Sequence, residues 1–175
     1  MKWIPTLRLA LWAFVLLQAA YFLLAWLVPQ GLMLGDVRMV LSPKWLTPTD
    51  VAALAAAPKA VGMLASLPVL LLTGYAAWRL NALLRSLRAG DYFAVATIGH
   101  LRAFAMAALA AMAWSILDTL LRGLAWRHGF GIDGFVQVGV SSEELLAMFV
   151  CALFFLIAGL MQEGRRLAEE NEGFI

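Results

Sequence analysis

Two charges interrupt the apolar stretch "AMAWSILDTLLRGLAW", at Asp118 and Arg122. Spaced at i and i+4, they share one helix face and can pair. Asp118 is the one acid inside an apolar span, and an intramembrane carboxylate is a candidate for proton or ion relay. It lies about sixteen residues, roughly 24 Å, into its helix. That depth puts it near a membrane boundary and favours an interfacial ion pair over a relay. Gln18 and Ser115 add polarity at depth and suit hydrogen bonds between helices. His100 and His128 fall on opposite membrane faces, so they share no metal, and a lone histidine is a poor ligand set. The single cysteine, Cys151, sits in an apolar run and reads as a packing residue. No H-E-x-x-H, G-x-S-x-G, P-loop or dinucleotide fingerprint is present. The sequence therefore points away from an enzyme, and it calls for no cofactor and no metal.

Two further charged segments flank the apolar ones. The loop "RLNALLRSLRAGDYF" carries Arg85 and Arg88, which complement the negative end of a helix that Gly90 can stop. Phe93 follows, expected to turn inward, and another helix is expected to start near Ala94. The end, "RRLAEENEGFI", holds Glu169, Glu170, Asn171 and Glu172. Carboxylates in a last helical turn are disfavoured by about 0.3–1 kcal/mol each. Arg165 and Arg166 can pair with Glu169 and Glu170, but arginine before glutamate is the weaker order. The acids are thus expected to find their complement in the arginine-rich loop or in a basic partner protein.

What positions these residues is set by composition. Of 175 residues, 63% are hydrophobic and 14% charged, and the mean hydropathy is +0.85. A soluble domain has about 45–50% apolar and about 25% charged residues, so lipid must cover this chain. A net charge of +2 is too small to suggest nucleic acid. About 20 apolar residues span a membrane, and four segments meet or approach that length, at residues 9–28, 61–80, 103–122 and 144–162. The first is too long for a cleaved signal and reads as a retained helix. Pro68, near the middle of the second, predicts a kink. The fold class expected is an all-α, four-helix membrane bundle forming one domain over 1–175, with a polar tail at 163–175.

Lys2, Arg8, Arg79, Arg85, Arg88, Arg102, Arg165 and Arg166 fall on one side of the membrane. Arg38, Lys44, Lys59, Arg122 and Arg127 fall on the other. The side richer in Lys and Arg is the inner one, so both termini are expected inside. Trp3 and Trp78 then mark inner boundaries, and Trp26 and Trp126 outer ones. In the first outer loop, "TPTDVAALAAAP" offers Thr47 as N-cap, Pro48 at the first helical position and Asp50 at the third, the start of a short helix. The third loop alternates from Phe135 to Val140 and predicts a small extended segment. Ser141 and Glu144 then match a capping box opening the fourth span. The third span repeats small residues every four positions, at Gly99, Ala103, Ala107, Ala111, Ser115 and Thr119. Such a stripe is a packing face for another helix of the bundle, with a homo-oligomer seam as its alternative use.

Gly90 and Phe93 as "G-x-x-F", with "E-E-N-E" at residues 169–172, resemble the bacterial domain-of-unknown-function family 2975, small four-span membrane proteins. The likeness covers roughly the second half of the chain and the span layout. Two places depart from the pattern. Ala94-Val95-Ala96 replaces a polar helix start, and Gly173-Phe174-Ile175 replaces an apolar–Thr–apolar ending. The resemblance implies no catalytic residue. It does imply a membrane protein paired with a small helix-turn-helix regulator, since such proteins are often encoded together. The function expected is a non-enzymatic regulator or sensor in a bacterial inner membrane, docking a cytosolic protein through Arg85, Arg88, Gly90, Phe93 and residues 169–172. It would not itself bind nucleic acid. The alternative is a small transporter or ion-handling subunit using Asp118.

Overall fold

The computed structural model describes residues 3–34, 37–90, 94–134, 136 and 139–172. Five helices and one small hairpin follow in order: α1 (Ile4–Leu27), β1 (Leu32–Leu34), β2 (Val37–Met39), α2 (Pro48–Ala53), α3 (Ala56–Ala89), α4 (Val95–Phe130) and α5 (Ser142–Glu172). Four of them, α1, α3, α4 and α5, are long and apolar enough to cross a membrane. With 34 and 36 residues, α3 and α4 reach roughly 51–54 Å at about 1.5 Å per residue. That exceeds the hydrocarbon core of about 30 Å, so both helices run well beyond the apolar segments that announce them.

Local signals explain the helix ends. The Thr47 hydroxyl accepts from the Asp50 amide at 3.2 Å, and the Thr47 amide donates to the Asp50 carboxylate at 2.8 Å. With Pro48 at the first position, this box starts α2. The same reciprocal pair recurs where α5 begins. The Glu144 amide donates to the Ser141 hydroxyl at 3.2 Å and the Ser141 amide to the Glu144 carboxylate at 2.9 Å. α3 continues through Pro68 and past Arg85 and Arg88, and it stops at Gly90, whose φ of +92° only glycine adopts without strain. The hairpin pairs Leu32 with Met39 and Leu34 with Val37, in the first loop. The extended segment expected at Phe135–Val140 rests largely on residues 135, 137 and 138, which lie outside the described residues; Val136, Gly139 and Val140 are in no strand.

Contacts divide the chain into two compact units. Unit 1 comprises residues 1–13, 72–112 and 141–175; unit 2 comprises residues 14–71 and 113–140. Unit 1 has a core of Leu83, Ile98, Leu101 and Ala158, with Phe104 and Phe154 meeting edge to face at 5.4 Å. In it, Arg8 Nε donates to the buried Asn81 Oδ1 at 2.7 Å. Unit 2 has a core of Trp26, Leu46, Val51 and Trp126.

Trp26 and Trp126, which the sequence places at outer span ends, are 1% and 0% exposed and so pack inside the protein. Gly62 on α3 makes this possible, because a Cβ there would stand 2.8 Å from Trp26 Cζ3 and 2.9 Å from Trp126 Cζ2. The Trp126 indole N–H donates to the Pro58 carbonyl at 2.7 Å, so its polar edge is satisfied inside the protein. Trp3 and Trp78 do remain exposed.

Candidate functional site

The most concentrated chemistry lies in unit 2. α4 carries Asp118 and Arg122 one turn apart, and Arg122 Nη1 reaches Asp118 Oδ2 at 3.3 Å. The pair is more enclosed than an interfacial one, with Asp118 5% and Arg122 3% exposed. Three other elements close it. From α3, Ser66 Oγ lies 3.0 and 3.1 Å from the two carboxylate oxygens and 3.1 Å from the Gly62 carbonyl; its single proton serves one of them at a time. From the first loop, the Lys44 carbonyl accepts from Arg122 Nη2 at 2.8 Å. The guanidinium carbon stands 5.8 Å from the Trp26 ring and 5.6 Å from the Trp126 ring, within cation–π range. A cavity of about 120 Å³ adjoins the cluster, touched also by Gln18 and Ser115.

Burying two ions is tolerated only where each is paired and hydrogen-bonded, and this site meets that condition. A carboxylate held by its own cation and a hydroxyl is a fixed counter-ion rather than a free base. From the sequence Trp26 and Trp126 are boundary aromatics and Lys44 a charge that sets sidedness; neither they nor Ser66 are expected at this site. Ser66 was detectable: it is a hydroxyl within an apolar span, and so is Thr73. Polarity at depth therefore extends beyond Gln18 and Ser115. A backbone carbonyl leaves no trace in a sequence.

Unit 1 holds the other candidates. Arg85, Arg88 and Gly90 close α3, and Glu169 and Glu170 lie in the last turns of α5, exposed. Phe93 lies outside the described residues, as do the side chains of Asn171 and Glu172, whose backbone is still helical. Among the described residues, the acids find their partners on their own helix. Arg165 Nε meets Glu169 at 2.6 Å, Arg166 Nε meets Glu170 at 3.3 Å, and Arg166 Nη2 also meets Glu163 at 3.0 Å. Of the two complements expected, the arginine-rich loop is not the one that Glu169 and Glu170 use among the described residues. An i,i+4 partner is already within reach at no cost in chain closure, and even in the weaker order it comes first. On α4, Ala107 and Ala111 are buried within the chain, Ala103 and Ser115 are half-buried, and Gly99 is exposed. Thr119 is buried too, so the small-residue stripe packs from Ala107 to its Thr119 end and opens at Gly99.

Unit 1 also contains an open groove of about 640 Å³ lined from α4 by Val95, Ile98, Gly99 and Arg102 and from α5 by Gly159, Gln162 and the charged residues that follow. His100, near it in sequence, has Arg79 Nη1 3.4 Å from its Nδ1.

Four helices long and apolar enough to cross a membrane, with a buried ion pair among the described residues, define a small multi-pass membrane protein. The family described as "protein of unknown function (DUF2975)" matches residues 43–175, from the first loop to the end of the chain, and the chain belongs to it. That match reaches further toward the N-terminus than the sequence motifs suggested. Neither the comparison with curated proteins nor that with solved structures gives a match.

Proposed function

We propose that this protein is a non-enzymatic regulator or sensor of a bacterial inner membrane, with both termini in the cytosol, that docks a cytosolic protein. The docking face consists of Arg85, Arg88, Gly90 and Phe93 at the end of α3 and of Glu169, Glu170, Asn171 and Glu172 at the end of α5. A small helix-turn-helix regulator is the partner expected. One observation carries the reading. Beyond its last apolar turn α5 stays helical to Glu172, exposing a charged surface that includes a half-exposed Leu167. Arginine–glutamate pairs one turn apart set the charges in place before any partner arrives. An ordered charged helix with an exposed leucine is a preorganised surface, and preorganisation lowers the entropy cost of binding.

The test is recovery of an identified partner by full-length protein, by a form ending after Arg166, and by the Glu169→Lys/Glu170→Lys variant. The same partner should be lost from both altered forms. Equal recovery in all three would remove the tail from the interface.

The cavity beside Asp118 favours a second reading, an ion-handling subunit. It requires that Asp118→Asn change ion flux in reconstituted vesicles by more than any loss of folded protein explains. The closed partner set around the carboxylate makes it the weaker reading.

A further inference from the structure

The groove between α4 and α5 in unit 1 takes no part in the docking face except through Glu169. We propose that it is a binding site for an anionic phospholipid, whose phosphate meets Arg102, whose headgroup lies over Gly99 and whose upper acyl chain runs past Gly159. Its volume of about 640 Å³ falls within the range of about 300–1,000 Å³ usual for small-ligand sites.

Three features select this occupant. The floor is open, since no atom lies within 4 Å of where a Cβ at Gly99 or Gly159 would stand. The wall is apolar on the membrane side of the charges, where Leu156 and Leu160, beside Gly159 on α5, are 59% and 65% exposed. The charges stand at headgroup depth. Arg102 is the last charged residue before the apolar stretch of α4, and Glu163 the first after that of α5.

Charge decides between an anionic and a neutral lipid. Arg165 is matched by Glu169 at 2.6 Å and Arg166 by Glu163 at 3.0 Å. Arg102 is exposed and makes no ion pair or hydrogen bond among the described residues. One guanidinium is thus uncompensated, and its planar fork of donors fits phosphate oxygens. Basic pockets between spanning helices hold anionic headgroups in this manner. The inference goes beyond protein docking and stands if that reading fails.

The experiment uses the full-length protein in dodecyl maltoside, with bound lipid counted by native mass spectrometry. Dioleoyl phosphatidylglycerol is titrated against dioleoyl phosphatidylcholine. Phosphatidylglycerol should bind about tenfold more tightly, the scale of one charge-assisted contact. Arg102→Gln should abolish the preference, and Arg102→Lys should restore part of it. Gly99→Leu, which fills the floor without touching a charge, should weaken binding of both lipids. Millimolar inorganic phosphate should not displace phosphatidylglycerol; displacement would make this a free-phosphate site and overturn the lipid assignment. Equal binding of the two lipids, or an unchanged preference in Arg102→Gln, also overturns it. So does a polypeptide that co-purifies in the groove and excludes phosphatidylglycerol. If Arg102→Gln fails to fold, the preference of the unaltered protein between the two lipids decides the charge assignment, and Gly99→Leu decides whether they bind in this groove.

Discussion

Replacing Gly62 by alanine tests the packing that holds the ion-pair site. The added Cβ would stand 2.8 Å from Trp26 Cζ3 and 2.9 Å from Trp126 Cζ2, with Trp26 Cη2 closer still. Carbon atoms at rest sit about 3.5–4.0 Å apart, so a ring must retreat by roughly 0.7 Å or more. Neither indole has room: Trp26 is 1% exposed, and Trp126 is 0% exposed and tied to the Pro58 carbonyl. Overpacking of this kind costs about 1–3 kcal/mol. Alanine returns about 0.5–1 kcal/mol through its better helix propensity, which leaves a net loss of roughly 0–2.5 kcal/mol, centred near 1 kcal/mol. Gly74 is the control. It lies in the same helix with nothing within 4 Å of its Cβ position, so Gly74→Ala should be neutral or slightly stabilising. The assay is reversible unfolding in dodecyl maltoside micelles with rising SDS, followed by far-ultraviolet circular dichroism. If Gly62→Ala matches the wild type, or if Gly74→Ala loses as much, the close approach of the two indoles is not what fixes this part of the fold.

Breaking the ion pair from one side should be worse than removing it. Arg122→Met leaves Asp118 buried without its cation and should cost about 3–5 kcal/mol, whereas Arg122→Met with Asp118→Leu should recover most of that loss in the same unfolding assay. The α2 cap should depend on pH. Hydrogen bonds from Thr47, first from its side chain and then from its backbone, hold the Asp50 carboxyl below its ordinary value of 3.8. Its contribution to the folded state is therefore fully present above that value and is lost as the pH falls through the lower folded-state value. Amide exchange over residues 48–53 should quicken in that acid range, and Asp50→Asn should remove the dependence.

The sequence carried those features that are written locally. Lipid solvation followed from composition, and both capping boxes followed from Thr47 with Asp50 and Ser141 with Glu144, because a cap is a contact across three residues. The Asp118–Arg122 pair was readable for the same reason. What stayed hidden depends on partners distant along the chain. Nothing in the neighbourhood of Trp26 says that Trp126 will meet it across Gly62. The hairpin was overlooked although Leu32–Leu34 and Val37–Met39 flank a glycine and an aspartate, a turn signal that is weak beside a long apolar span. Glu169 and Glu170 turn to arginines on their own helix because a neighbour one turn away needs no chain closure, which outweighs the disfavoured order of arginine and glutamate.

The internal pairing on α4 has a consequence for biogenesis. An arginine entering the bilayer alone is expensive, and the insertion machinery reads each segment as it emerges. Here the carboxylate leaves the ribosome four residues ahead of the guanidinium, and Ser66 and Lys44 have been synthesised long before. The third span thus reaches the translocon carrying its own neutralising charge, and its remaining hydrogen-bond partners are in place when it arrives.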